Sequence, residues 1–245
     1  MHCEANAIEL RNVSYTYPDG TEALHDISVT LRHEQRVALL GPNGAGKSTL
    51  IAHLNGIILA QTGTVLIEDV PLTQQTLTLV RQRIGIVFQD PDNMLFMTSI
   101  ADDIAFGPRN LGLPENEVQD RVRRALAVTG LEGLENKPGM HVSFGQKKRA
   151  AIAAVLAMEP AVLVLDEPTS NLDPRGRHGM LDFLRDLDVT LLIATHDLEA
   201  AWELCDRALV IDEGRLVADG DAHPIMSDRD LMLTHGLDVP LRAQR

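Results

Sequence analysis

The residues with the clearest chemical potential form a glycine-rich segment that fits the phosphate-loop pattern G-x-x-x-x-G-K-[ST]. Its members are Gly41, Pro42, Asn43, Gly44, Ala45, Gly46, Lys47, Ser48 and Thr49. The glycines let the backbone curl so that successive N–H groups point at one phosphate, and a helix that begins near Lys47 adds its positive end. The Lys47 ammonium can reach the β- and γ-phosphates, and the Ser48 hydroxyl can ligate Mg²⁺. The pattern predicts a site for a nucleoside triphosphate.

Two carboxylates that follow an apolar segment later in the chain predict the hydrolytic half of this site. Residues 161–165 are continuously apolar, as expected of a central parallel strand, and Asp166 and Glu167 come directly after them. Because α/β folds bind ligands at the carboxyl ends of such strands, Asp166 is suited to the Mg²⁺ shell. Glu167 is suited to orient or deprotonate the attacking water. An Asp-Glu pair is also common at helix N-termini, but the phosphate loop upstream favours the catalytic role.

A histidine and a tyrosine are further candidates for contact with the nucleotide. His196 follows the apolar segment 191–195, and at that strand end it is a candidate for contact with the γ-phosphate. A single histidine is more often structural. Tyr15 and Tyr17 lie near the start of the chain, where an aromatic ring can stack on adenine. Alone, such a tyrosine is more often part of a sheet surface.

A second anion-binding segment precedes a long helix predicted at residues 145–158. Ser143 can cap this helix, and the free N–H groups of its first turn can bind an anion. Lys147, Lys148 and Arg149 are expected to be solvated residues of that turn. Capping alone is one interpretation. The other is that this helix end completes the nucleotide site of a second subunit, because the sequence contains one phosphate loop.

The elements that must position these residues predict a mixed α/β fold. Residues 8–31 predict antiparallel strands, and residues 37–40 predict the strand before the phosphate loop. Later strands are predicted at residues 63–67, 84–89, 161–165, 191–195, 208–212 and 215–218, and the last two form a hairpin. Residues 94–159 show helical periodicity instead, which predicts a helical subdomain inserted between strands of the core.

We therefore expect an α/β core of the phosphate-loop NTPase type, a mixed sheet with an N-terminal antiparallel β subdomain, at residues 1–220. The helical subdomain is nested in it at about residues 92–159, and a tail at 221–245 contains a short helix near Leu231. The apolar residues at the entrance of the subdomain are Met94, Leu95, Phe96 and Met97. They fit either its core or a groove for a partner helix.

The composition limits the classes of partner and compartment. The chain of 245 residues is long enough for one large α/β domain or two small ones. Its formal charge of −13 opposes nonspecific attraction to nucleic acid or to anionic lipid. No run approaches the roughly 20 apolar residues of a membrane span. Cys3 and Cys205 lack metal-ligand spacing and indicate a reducing compartment, and Cys205 is expected to pack on an apolar helical face.

In their order along nearly the whole chain, these motifs resemble those of an ATP-binding cassette (ABC) ATPase subunit. The matches are Tyr17 (the aromatic that stacks on adenine), residues 41–49 (Walker A), Gln89 (Q-loop), residues 142–146 (signature), residues 163–167 (Walker B), residues 170–173 with Asp173 (D-loop) and His196 (switch histidine). The resemblance implies a head-to-tail dimer with two ATP molecules at its interface. It also implies that Ser143, Gly145 and Gln146 of one subunit cover the γ-phosphate held by Lys47 of the other, and that Gln89 serves Mg²⁺ binding and hydrolysis.

The signature and the D-loop depart from the family pattern in three places. Val142 replaces leucine and Phe144 replaces the first glycine of LSGGQ, while the second glycine is retained as Gly145. Asn171 is a milder departure in the D-loop. Phe144 is bulky, so close backbone approach to a nucleotide at this position requires its side chain to point away.

Within this family, residues 89–93 and 105–108 are similar to the importers of the energy-coupling-factor type. Residues 144–149 and the tail segment 237–240 are similar to the cobalt/nickel branch, although Met94 stands where those relatives commonly carry glutamine. The resemblance implies a peripheral protein at the cytoplasmic face of the cell membrane, acting as a homodimer or as a heterodimer with a second ABC ATPase. It also implies two further partners, a transmembrane coupling protein and a substrate-binding membrane protein, and no nucleic acid.

Two other functions are compatible with the same phosphate loop. One is a soluble, non-transport ABC ATPase that acts on nucleic acid or ribosomes, which the acidic composition disfavours. The other is a kinase that uses ATP as the phosphoryl donor to a small acceptor, in which case the signature and His196 are coincidental.

Overall fold

The computed structural model describes residues 6–244, so Cys3 lies outside the described part of the chain. The strands, in chain order, are β1 (Asn6–Thr16), β2 (Glu22–Arg32), β3 (Arg36–Leu40), β4 (Thr62–Ile67), β5 (Val70–Pro71), β6 (Ile84–Val87), β7 (Val162–Asp166), β8 (Thr190–Ala194), β9 (Arg207–Asp212) and β10 (Arg215–Asp221). The α-helices are α1 (Lys47–Leu54), α2 (Leu77–Arg83), α3 (Ile100–Asn110), α4 (Glu115–Thr129), α5 (Phe144–Leu156), α6 (Pro174–Arg185), α7 (Leu198–Leu204), α8 (Ala222–Ser227) and α9 (Arg229–Thr234).

The N-terminal strands form the predicted antiparallel sheet, in the order β2-β1-β4-β5. Side chains alternate along these strands, so that Ile27, Val29 and Leu31 of β2 are buried while the residues between them are more exposed. Such alternation is expected when one face of a sheet covers a core and the other faces water.

The second sheet has the order β10-β9-β3-β8-β7-β6, with β9, β3, β8, β7 and β6 parallel and β10 antiparallel. Its central strands are buried on both faces, which explains why β7 and β8 are continuously apolar in sequence. Because β3, β6, β7 and β8 are parallel, the segments that follow them emerge at one edge of the sheet. This edge carries the candidate site.

Helices α3, α4 and α5 pack together around an apolar cluster of their own, as the helical periodicity predicts. Helix α5 also joins this cluster to the sheet, because Ala150 and Ala153 face the helices whereas Ala151, Ile152 and Val155 belong to the core beside the sheet. The predicted bounds of the nested subdomain, about residues 92–159, stay a prediction.

The sequence did not predict two of the helices near the carboxyl end. Helix α7 is short, and the residue before it, Asp197, caps it by accepting a hydrogen bond from the Ala200 N–H. The tail contains α8 in addition to the predicted helix near Leu231, and both tail helices place a buried methionine on the sheet core, Met226 and Met232. Within residues 6–244, no helix combines the length and apolarity needed to cross a bilayer.

Candidate functional site

The phosphate loop occupies the turn between β3 and α1, as predicted, and two of its glycines are required by close contacts. Gly46 has a φ of +106°, and a Cβ atom there would lie 2.6 Å from the carbonyl oxygen of Ala23. A Cβ atom on Gly41 would lie 2.2 Å from the carbonyl oxygen of Ile211. Neither position has room for a side chain, so this loop conformation depends on glycine.

Lys47 begins helix α1 and folds its side chain over the loop. Its Nζ donates hydrogen bonds to the carbonyl oxygens of Gly41 at 2.6 Å and Pro42 at 3.0 Å. Burial lowers the pKa of Lys47, and the negative charges of Glu167 and Asp166 oppose that change. The lysine is therefore a half-buried cation facing the carboxylates that follow β7.

Tyr17 lies beside the first turn of α1. Its hydroxyl is 2.9 Å from Oγ1 of Thr49, the last residue of the phosphate-loop pattern. Its ring meets that of Tyr15 edge to face, with centroids 5.0 Å apart. The tyrosine is thus fixed next to the loop, while its stacking on adenine remains a prediction.

Glu167 is a nearly buried carboxylate, 8% exposed, that is held by the segment after the neighbouring strand β8. Its Oε2 accepts a hydrogen bond from Thr195 Oγ1 at 3.0 Å, and its Oε1 accepts one from the His196 backbone N–H at 3.0 Å. Nδ1 of the His196 ring also lies 2.8 Å from Oε1. These contacts fix the direction of the carboxylate and bring together two of the three predicted catalytic residues, Glu167 and His196.

Asp166 shares this edge of the sheet. Burial raises its pKa, the charge of Glu167 raises it further, and the ammonium groups of Lys47 and Lys148 oppose the rise. An additional cation at this edge would stabilise the charged form of the buried Asp166 carboxylate.

A cavity of about 970 Å³ adjoins these groups, and residues of four predicted motifs line it. Its wall includes residues of the phosphate loop (Gly41, Pro42 and Asn43), Gln89, Glu167 and His196. The rest of the wall comes largely from the tail, with Gly236, Leu237, Asp238, Val239, Pro240 and Leu241. The contribution of the tail was missed, since the sequence analysis used residues 237–240 only as a subgroup motif.

The signature segment, residues 142–146, lies outside the wall of this cavity. Ser143 caps α5, as predicted, and forms a capping box in which its Oγ accepts from the Gln146 N–H and Gln146 Oε1 accepts from the Ser143 N–H. Gly145 faces Leu172 of the predicted D-loop, and Asp173 at the end of that loop caps α6. Among the described residues that line the 970 Å³ cavity, none belongs to residues 142–146.

The prediction that the basic residues after the signature are solvated is wrong for Lys148. Its side chain is 4% exposed and donates hydrogen bonds to the carbonyl oxygen of Glu167 at 2.6 Å and to Ser170 Oγ at 2.9 Å. Arg149 donates to two backbone carbonyls, and Lys147 pairs with Asp92. Residue type alone gave no signal for this, because the acceptors lie on a distant part of the chain.

The structure also reveals a charged pair behind His196 that the sequence analysis missed. Arg177 of α6 donates two hydrogen bonds to Asp197, at 2.7 and 2.8 Å, and Thr169 Oγ1 donates a third at 3.0 Å. Burial raises the pKa of Asp197, but these partners, Arg177 foremost, outweigh it and lower the pKa overall. The pair anchors the segment that carries His196 to the segment after β7.

Comparison with known proteins gives consistent matches over nearly the whole chain. Residues 24–170 match the family model described as ABC transporter. The energy-coupling factor transporter ATP-binding protein EcfA of Methanothermobacter thermautotrophicus is 46% identical over 96% of this chain and 78% of its own length.

Solved structures agree with this match. The structure of cbiO1 from Clostridium perfringens, described as part of the ABC transporter complex cbiONQ, superposes with a TM-score of 0.85 at 40% identity, covering 98% of each chain. The ATP-binding cassette MJ0796, a dimer with bound ADP and Pi, has a TM-score of 0.78 at 26% identity, covering 88% of this chain and 98% of its own. The predicted fold and the predicted resemblance to energy-coupling-factor ATP-binding subunits are confirmed.

Proposed function

This chain belongs to the ABC transporter family as an ATP-binding subunit that hydrolyses ATP, and we propose that it is the motor of an energy-coupling-factor importer. The proposed solute is cobalt, nickel or another micronutrient, because residues 144–149 and 237–240 resemble the cobalt/nickel branch. The subunit then works as a peripheral protein at the cytoplasmic face of the cell membrane. The proposed partners are a second ABC ATPase, a transmembrane coupling protein and a substrate-binding membrane protein.

The observation that carries the proposal is that the signature does not line the cavity beside the catalytic carboxylate. Lys47, Glu167 and His196 converge at one sheet edge, whereas Ser143, Gly145 and the rest of the capped signature do not line the adjoining cavity. A capped helix start with free N–H groups is suited to bind an anion. We propose that it covers the γ-phosphate bound by another subunit, so that two subunits enclose two ATP molecules.

Within one such site, each residue has a distinct proposed task. The loop N–H groups and the Lys47 ammonium hold the β- and γ-phosphates, while Tyr17 stacks on the adenine. Glu167, fixed by Thr195 and His196, orients the attacking water and accepts its proton. Since Nδ1 of His196 donates to the Glu167 carboxylate, its second ring nitrogen can donate a hydrogen bond to the γ-phosphate in the doubly protonated ring, in which both nitrogens are donors.

The residues at this edge fit Mg²⁺. The Ser48 hydroxyl is exposed at the start of α1, the Asp166 carboxylate lies at the end of β7, and Gln89 is exposed after β6. Hard oxygen donors of this kind suit Mg²⁺, and the charge of a divalent ion relieves the repulsion that raises the pKa of Asp166. When bound, Mg²⁺ neutralises charge that develops on the transferred phosphoryl group.

An exposed apolar patch supports the proposed membrane partner. Met94 and Leu95 pack partly against the core, whereas Phe96 is 63% exposed and lies edge to face with Phe106 of α3, which is 42% exposed. The patch has a fixed shape, because Asp103 Oδ1 accepts hydrogen bonds from two backbone N–H groups of its loop at 2.9 Å each. Exposed aromatic residues on a rigid support are typical of interaction sites.

The test is co-purification of the full chain with the membrane proteins encoded beside it, followed by ATPase and uptake assays with Co²⁺ and Ni²⁺. We expect the complex to form, ATPase to be stimulated, and Phe96→Ser to weaken both. Val128→Ser is the control, since Val128 is a comparably exposed apolar residue, at 56%, but lies on α4. Failure to associate with any of these membrane proteins contradicts the importer, and salt-sensitive binding to DNA or RNA instead favours the non-transport alternative.

A further inference from the structure

The buried lysine of helix α5 has no part in nucleotide binding as proposed above, yet it contacts the backbone of the catalytic glutamate. Lys148 Nζ donates to the Glu167 carbonyl oxygen at 2.6 Å and to Ser170 Oγ at 2.9 Å. Burial lowers the pKa of Lys148 to about 8, although the negative charges of nearby carboxylates act to raise it. Burying an ammonium group is costly unless it is hydrogen-bonded, and these two acceptors hold the Lys148 Nζ in place.

The carbonyl that Lys148 holds belongs to a residue in an unusual backbone conformation. Glu167 has a φ of +51°, in the left-handed region that residues with side chains seldom adopt. Its N–H donates to the Ala194 carbonyl at 2.8 Å, and its carbonyl also accepts from the Ser170 N–H at 3.2 Å and Ser170 Oγ at 2.9 Å. Such conformations persist only where surrounding contacts determine them, and they set where the side chain points.

We propose that Lys148 is a positioning residue for Glu167, and that it makes the direction of the catalytic carboxylate depend on the position of α5. The inference rests on the proposed role of Glu167. Helix α5 begins at the signature, and the ring of Phe144 packs against the Lys148 ammonium, with 5.6 Å between Nζ and the ring centroid. A shift of the signature towards ATP on the opposite subunit therefore moves the lysine that holds this chain's own Glu167.

The packing also gives the unusual signature residue a role. Phe144 stands where the family carries glycine, and its ring contributes a cation–π contact to the lysine.

The experiment is a double-mutant cycle in the full-length chain. Lys148→Met, Glu167→Gln and the combined variant are compared with wild type for kcat, KM for ATP and affinity for a fluorescent ATP analogue. We expect Lys148→Met to lower kcat about 10-fold or more at unchanged KM, because misplacement of a catalytic group by about 1 Å costs up to 100-fold. Lys137→Met, which removes the charge of an exposed lysine outside α5, is the control and keeps kcat near wild type.

The decisive result is non-additivity. If Lys148 acts through Glu167, the combined variant is no slower than Glu167→Gln alone. The inference is overturned if the combined variant is slower by the product of the two single effects on kcat. It is also overturned if Lys148→Met has a wild-type kcat. A wild-type rate in Glu167→Gln instead overturns the proposed role of the glutamate, so the two failures are distinguishable.

A second variant covers the case in which Lys148→Met does not fold. Ser170→Ala removes one donor to the same carbonyl and one acceptor of the lysine, and it leaves both backbone elements in place. We expect a kcat lowered about threefold or more at unchanged KM, since two hydrogen bonds of the set are lost while Lys148 still donates to the Glu167 carbonyl. A Ser170→Ala variant with wild-type kcat overturns the inference in that case.

Discussion

Replacing Glu167 with glutamine removes the charge of the proposed base while keeping its size. In the structure, Oε2 faces the Thr195 hydroxyl and Oε1 faces the His196 N–H. The amide oxygen can take the place of Oε1, and the Thr195 hydroxyl can rotate to accept from the new NH₂ group. We therefore expect the side chain to keep its place and the phosphate loop to stay intact.

The expected loss follows from the chemistry of the group. A positioned general base contributes about 10²–10⁴-fold to a rate, and a carboxamide accepts no proton. Phosphate release by Glu167→Gln should fall by about 10²-fold or more, with the affinity for ATP unchanged and a dimer trapped by ATP in size-exclusion chromatography. Glu132→Gln, on an exposed glutamate after α4, is the control. Hydrolysis near the wild-type rate with intact ATP binding would refute the role of Glu167.

Three further predictions concern the loop, the tyrosine and the buried thiol. Gly46→Ala should lower the free energy of unfolding by about 1–3 kcal/mol and abolish ATP binding, because it combines a positive φ with the Ala23 contact. A Cβ atom at Gly44 would meet open space, so Gly44→Ala should lower the melting temperature less than Gly46→Ala does. Tyr17→Ala should raise KM for ATP about 10-fold with little change in kcat, because the stacking ring is lost. Tyr17→Phe keeps the ring, so its binding free energy for ATP should stay within about 1 kcal/mol of the wild-type value. Equal KM values for the two variants would argue against stacking. In a Cys3→Ser background, Cys205 should react with a thiol reagent at pH 8 only after unfolding, because burial raises its pKa to about 12; rapid reaction of the native protein would contradict this.

The site illustrates which parts of a nucleotide-binding protein can be read from motifs. The phosphate loop, the carboxylates after β7 and the histidine after β8 were all found from local patterns. Each consists of a few residues next to an apolar strand, and parallel strands bring such segments to one edge of a sheet. The cap of α5 by Ser143 was equally predictable, since a capping box is local in sequence.

Other features depend on long-range contacts and could not be read in this way. The burial of Lys148 depends on acceptors about twenty residues further along the chain, and the Arg177–Asp197 pair joins two helices. The tail helices pack on the sheet because their methionines face a core formed by distant strands. Periodicity reports which face of an element is apolar, but it does not report which partner covers that face.

The sequence by itself therefore determined the chemistry of this protein: a phosphate loop, its carboxylates and the order of motifs that marks the family. Local backbone geometry and residue type suffice for those features. Only the tertiary structure decided that the signature lies outside the wall of the cavity beside the catalytic carboxylate, that the tail lines this cavity, and that Lys148 holds the Glu167 carbonyl. These are distances between segments far apart in the chain, and they are set by packing of the whole fold.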